Sequence, residues 1–183
     1  MGNGMEALNH DAVLQQWLAE EQAVRARQQA FGLARPDQVH GLSGLEILQE
    51  MLDGKLPPPP IADTMDFMLV SVAHGEAIFQ GKPLLKHYNP LGSVHGGWFA
   101  TLLDSALGCA VMSALPAGQS YTTLELKINL VRAISTKVPA VRAVAKTVHV
   151  GKQVATAEAQ LIGHDGKLYA HSSTTCLVFA RKG

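Results

Sequence analysis

Across residues 122–131, apolar and polar positions alternate. Leu124, Leu126, Ile128 and Leu130 fall between Glu125, Lys127 and Asn129. A period of two sends alternate side chains to opposite faces of an extended chain, which predicts a half-buried strand. Three more strands are expected at residues 138–150, 153–163 and 168–179. Gly151-Lys152 separates the first two, and Asp165-Gly166, a pair suited to tight hairpins, separates the last two. Earlier in the chain, residues 67–73 and 76–80 flank His74-Gly75 and read as a first hairpin. Between that hairpin and the four strands, residues 98–115 are apolar or small at nearly every position. They predict a long buried helix starting near Gly96 and stopping at Pro116-Ala117-Gly118. Consecutive hairpins imply an antiparallel sheet. The expected layout is a hairpin, one long helix and a meander of about four strands, with the helix packed on the curved sheet.

The first third of the chain has a different texture. Residues 5–30 contain no Pro or Gly, are rich in Ala, Gln, Glu, Leu and Arg, and predict a helix with a loose stripe of Leu14, Trp17, Leu18, Val24 and Ala30. Its expected role is a surface or oligomer-contact helix. Ser43 followed three residues later by Glu46 forms a capping box for a short helix through Leu52, which Asp53-Gly54 closes. Four prolines at 57–60 can enter neither helix nor ladder and read as a stiff spacer. This divides the chain into a helical extension with a Pro-rich linker at 1–60 and a core domain at 61–183.

Composition narrows the function. Lys+Arg and Asp+Glu each number 15, so no basic excess marks a nucleic-acid binder. Cys109 and Cys176 show no metal spacing and read as reduced thiols. His74, His87, His149 and His164 lack ligand partners at useful spacing, so no metal site is expected. No apolar signal region follows Met1, and the expected location is cytoplasmic. Residues 98–115 could be weighed as a membrane span, but Asp104, Thr101 and Ser105 within them argue for the centre of a folded domain, and no membrane partner is expected.

Asp104 is the chemical anomaly. It is the only Asp, Glu, Lys or Arg between Lys86 and Glu125, and a carboxylate in an apolar helix is costly unless something uses it. Gly96 and Gly97 fall where a helix start exposes unpaired N–H donors and the positive end of its dipole, a setting suited to an oxyanion. Seven residues return to within about 20° on a helix, so Gly97 and Asp104 share a face with Ala100, Thr101, Ser105 and Gly108. Gly97 and Asp104 are nevertheless about 10 Å apart along the axis, too far to act together on one carbonyl. Two antiparallel copies about a two-fold axis would bring Asp104 of one toward Gly97 of the other, so a site shared between subunits is expected. Arg132, Arg142, Lys146 and Lys152 are candidate phosphate partners.

The chain resembles the hotdog-fold acyl-CoA thioesterases of the phenylacetate-degradation (PaaI) type. The motifs are Asn89-Pro90-Leu91-Gly92, His95-Gly96-Gly97, Asp104, Thr122-Thr123-Leu124-Glu125-Leu126, Gly151-Lys152-Gln153-Val154-Ala155 and Asp165-Gly166-Lys167-Leu168-Tyr169-Ala170. The resemblance runs from about Ser43 to Phe179. The resemblance implies an α+β hotdog fold: one long central helix wrapped by a curved antiparallel sheet of about five to six strands, here with an N-terminal helical extension. It implies hydrolysis of an acyl-CoA thioester, with CoA as part of the substrate and no separate cofactor. It also implies a homodimer at minimum, assembled as a dimer of dimers into a homotetramer. Asp104 becomes nucleophile or general base, and Gly97, with Gly96, polarises the thioester carbonyl. Asn89 orients water or thioester, and Thr123 positions water. His95 is grouped with them, with tying the loop to the helix as its competing role. Gly96, Lys152 and Arg132 are the substrate-binding candidates. Two rival readings are a non-catalytic acyl-CoA sensor and a hydratase, the latter requiring an Asp/His dyad near a helix start that no spacing supplies. A partner-binding role for the first 55 residues would be independent of either.

Overall fold

The computed structural model describes residues 2–181, with side chains from residue 9 onward; Met1 and residues 182–183, the outer ends of the two expected segments, lie outside the described residues. Helices α1 (Gly2–Arg27), α2 (Pro36–Val39), α3 (Gly44–Leu52) and α4 (Pro60–Met65) come first. Strands β1 (Phe67–Ala73) and β2 (Glu76–Gly81), helix α5 (Gly96–Ser113) and strands β3 (Gln119–Leu130), β4 (Val141–Val150), β5 (Val154–Gly163) and β6 (Leu168–Ala180) follow. The capping box of α3 is present: Ser43 Oγ accepts from the Glu46 amide, and the Glu46 carboxylate accepts from the Ser43 amide at 2.7 Å.

The proline run departs from a pure spacer. Pro59 is extended, but Pro60 opens α4, because a helix needs no N–H at its first position and the proline ring presets φ. Asp66 then ends α4 in the left-handed region, at φ 50°.

The strand order also departs from a meander. One antiparallel six-stranded sheet runs β1-β2-β4-β5-β6-β3. β3 skips β4 and pairs with β6 at the far edge, with Thr123 opposite Cys176 and Leu130 opposite Ala170. The cause is the β3–β4 connection, which is no tight turn: it anchors Ile134 in the core at 1% exposure and returns the chain to β2.

Helix α5 fills the concave side. Leu102, Leu103, Ala106, Leu107 and Ala110 are fully buried against a sheet face built of Ala143 and Ala145 on β4 and Ala155, Ala157 and Ala159 on β5. Small side chains on the strands let a leucine-rich helix lie close to the sheet, and each buried leucine stabilises the fold by roughly 1.5–3 kcal/mol. Gly81 on β2 makes room for Trp98 and Leu102, which a Cβ there would crowd at 2.9–3.0 Å.

The opposite sheet face carries α1. Gln80 on β2 donates to the Trp17 carbonyl at 3.3 Å and to Glu21 at 2.6 Å, and accepts from Arg142 Nε on β4 at 2.8 Å. Arg142 also donates to Glu20 at 2.6 Å and stacks 4.5 Å from the Trp17 ring centroid. A buried polar pair that is fully hydrogen-bonded fixes α1 in one register. Among the described residues no helix is long and apolar enough to cross a membrane.

Candidate active site

The edge strand β3 runs antiparallel to α5. A Cβ on Gly96 would lie 3.0 Å from Leu130 Cδ1, and Gly108, at the other end, lies against the Tyr121 ring. Between them Thr123 Oγ1 donates to Asp104 Oδ1 at 3.1 Å. This bond joins two expected site residues 19 positions apart in sequence. The other hydroxyls of the face turn back on the helix: Thr101 donates to the Gly97 carbonyl at 2.9 Å and Ser105 to the Thr101 carbonyl at 2.8 Å. Asp104 is therefore held at one oxygen, and its second oxygen has no partner among the described residues. Burial pushes the neighbouring Cys109 thiol up to about 12, and the Asp104 charge adds to that. Burial likewise raises Cys176, so neither thiol is poised as a nucleophile.

The helix start differs from expectation at Gly97. His95 is the N-cap, and its Nδ1 accepts from the Gly97 amide at 2.8 Å. The N–H expected to be open is taken. The Gly96 amide, first in the helix, has no hydrogen-bond partner among the described residues. Asn89 is also occupied: its Oδ1 accepts from the amides of Leu91 at 2.9 Å and Ser93 at 3.2 Å, and its amide donates to Ser93 Oγ at 3.1 Å. It closes the loop that delivers the chain to His95.

The cationic candidates are dispersed. Lys152 precedes Val154, which aligns through Leu177 with Thr122, whereas Arg132 follows Leu130, opposite Ala170. Thr122 and Leu130 are eight residues apart, so the two cations sit roughly 26 Å apart at 3.3 Å per residue. No single phosphate meets both within one chain. Arg142 is committed to Glu20, Gln80 and Trp17, and Lys146 pairs with Glu76 at 2.8 Å. Neither stands free as a phosphate partner.

A cluster that no sequence spacing announced lies beside the helix start. His87 is buried and stacked on Trp98 at 5.4 Å; its Nδ1 accepts from the Leu84 amide at 3.1 Å, leaving Nε2 to donate to Asp66 at 3.1 Å. Lys86 Nζ is 2.7 Å from the same Asp66 oxygen. With both ring nitrogens engaged, this Asp–His pair is structural. His87 and Lys86 line one wall of a cleft of about 430 Å³ that reaches Gly97, Thr101 and His95. Burial pushes the His87 pKa below the ordinary 6.5, against the opposing pull of Asp66. Protonation is thus easier in the unfolded chain, so the contribution is intact above pH 6.5 and is lost as pH falls below it. The melting temperature is expected to fall more steeply between about pH 7.5 and pH 5 in the wild type than in His87→Gln, as read by calorimetry. Equal slopes would assign the pH dependence elsewhere. Among the described residues no group of His, Cys, Asp or Glu could hold a metal ion.

The chain is similar to known proteins in sequence and in fold. The family model for the thioesterase superfamily matches residues 91–170. The 1,4-dihydroxy-2-naphthoyl-CoA hydrolase of Listeria monocytogenes is 26% identical over 118 residues, 64% of this chain and 94% of that protein. A conserved protein of Pseudomonas aeruginosa has a similar structure, with TM-score 0.61 and 29% identity over 65% of this chain and 93% of that one. A phenylacetic acid degradation-related protein of Ralstonia eutropha superposes with TM-score 0.64 and 28% identity, covering 70% and 97%.

Proposed function

We propose, because residues 91–170 match the thioesterase superfamily and the chain has the hotdog fold of such proteins, that it hydrolyses an acyl-CoA thioester to the free acid and CoA at a site shared by two subunits. The observation that carries the reading is Asp104, held by Thr123 on the partly exposed face of α5. The Asp104 carboxylate acts as nucleophile on the thioester carbon or as general base that takes a proton from water. In either case the C–S bond breaks, the thiolate leaves with a proton, and an oxygen from water ends in the carboxylic acid.

Negative charge grows on the carbonyl oxygen during attack, and a preorganised N–H lowers that barrier. Gly96 is the better donor, since His95 occupies the Gly97 amide. Gly97 and His95 then shape the helix start, and Asn89 sets the loop before it. Gly96 and Asp104 are eight residues apart, about 12 Å along the axis, so each half-site needs a partner. β3 supports pairing: it is a 12-residue edge strand with Leu124 61% and Leu130 53% exposed, the kind of edge that seeks a second copy. A homodimer is the smallest active unit, and a dimer of dimers the larger assembly.

The cleft beside Gly97, floored by Trp98, receives the acyl group. Met65 lines it, whereas the nearby Phe67, Met68 and Phe99 are each 2% exposed in the core. CoA enters as substrate, and no separate cofactor is needed. The two free thiols suit a reducing, cytoplasmic setting. A panel of short, medium, long and aromatic acyl-CoAs, followed by free-thiol release, tests the activity. Turnover of at least one class is expected; none, with tight binding retained, would favour the sensor reading.

A further inference from the structure

We propose that the cleft between α2 and the turn joining α5 to β3 binds the phosphorylated adenosine end of CoA, so that the N-terminal extension supplies one wall of the substrate site. The proposal rests on the thioesterase reading above. It concerns a segment outside the family match, which begins only at residue 91.

The cleft measures about 770 Å³, and its walls include Pro36, Val39, His40, Ala117, Gly118 and Arg181. Ligand sites of this kind combine apolar walls with a few placed polar groups. Pro36, Val39 and Ala117 give a surface on which a flat base can pack. Gly41 and Gly118 form bare lips: both are in the left-handed region, at φ 77° and 79°, and nothing lies within 4 Å of where a Cβ would stand. A phosphate can therefore approach the backbone there without meeting a side chain.

The charges favour an anion. Asp37, the carboxylate of this wall, is paired with Arg35 through two bonds of 3.1 Å, which partly offsets its charge. Arg181 is pinned by its own amide, which donates to the Gly118 carbonyl at 2.8 Å, and by one long contact of 3.4 Å from Nη1 to the Val39 carbonyl. Among the described residues no carboxylate pairs with Arg181. Its remaining donors are available for bidentate phosphate contact, the geometry at which a guanidinium excels. His40, exposed on the opposite lip, adds a donor.

The location also fits. From Asp104, α5 runs nine residues to its end at Ser113, about 14 Å, and the cleft begins at Ala117 just beyond. An extended pantetheine arm spans that distance. Ser105 and Met112, both half-buried, lie along the helix between Asp104 and the cleft. The α2–α3 wall is fixed in place, because the Gly44 amide donates to the Leu115 carbonyl at 3.0 Å and a Cβ on Gly44 would collide with the Met112 backbone. Remote binding of this sort holds the thioester at the reacting groups.

Adenosine 3′,5′-bisphosphate, which carries no thioester, is the probe. Calorimetry with the full chain is expected to show binding to the wild type, weakened roughly tenfold or more in Arg181→Gln. Ala117→Trp, which fills the cleft without changing charge, is expected to weaken it similarly. In turnover, both variants should raise KM for acyl-CoA with little change in kcat, and leave KM for the matching acyl-N-acetylcysteamine thioester unchanged. No binding of the probe to wild type, or wild-type binding by both variants, overturns the proposal. Binding that depends on Arg181 in a chain that hydrolyses no thioester supports this site and rejects the hydrolase reading instead.

Discussion

Asp104→Asn is expected to lower kcat by roughly 10²–10⁴-fold, the range that a positioned acid–base group contributes. The substitution keeps the size of the side chain and the bond from Thr123, whose hydroxyl can donate to the amide oxygen as it does to the carboxylate. What it removes is the ability to attack carbon or accept a proton. Asp104 makes no ion pair among the described residues, so its loss breaks no structural network. Melting temperature and oligomer size should therefore stay near wild type while turnover collapses. Near-full turnover in Asp104→Asn would remove the core of the proposed mechanism, because both thiols nearby are held protonated by burial.

Why some of this architecture could be read from sequence and some could not is visible in particular residues. Helix α5 and the strands carry their own periodicity, and Asp104 stood out because a lone charge in an apolar run is costly. The place of β3 was hidden: its alternation says that it is a strand, but pairing with β6 rather than β4 is fixed by where Ile134 packs. Arg142 read as a candidate phosphate partner because the helix that buries it lies about 120 positions away, where Glu20 sits. α4 was masked by the prolines that precede it, although Pro60 suits a first helical position. The capture of the Gly97 amide had a readable signal, since His95 stands two residues before it at the cap, yet only the rotamer decides that Nδ1 accepts that bond.

That capture gives the second large effect. Gly96→Pro is expected to lower kcat by roughly 10²–10³-fold, the usual cost of losing one oxyanion donor. Proline is tolerated at the first helical residue, and His95 is extended at ψ 137°, as a residue before proline should be. The added Cβ meets only Leu130 Cδ1, the far end of a flexible side chain, so the N–H is the chief loss. Gly97→Ala, which keeps both amides and presses on the His95 ring at 3.0 Å, should cost far less. A larger loss in Gly97→Ala than in Gly96→Pro would return the oxyanion role to Gly97. The two severe variants together test the shared site. Asp104→Asn and Gly96→Pro chains are each nearly inactive alone, but a mixed dimer carries one doubly damaged half-site pair and one intact pair. Random pairing makes half of the dimers mixed, so co-expression should recover about a quarter of wild-type turnover. Recovery requires that Asp104 of one chain meet Gly96 of the other. Mixed dimers that stay as inactive as their parents would place both groups in one chain and contradict the 12 Å separation as the reason for pairing.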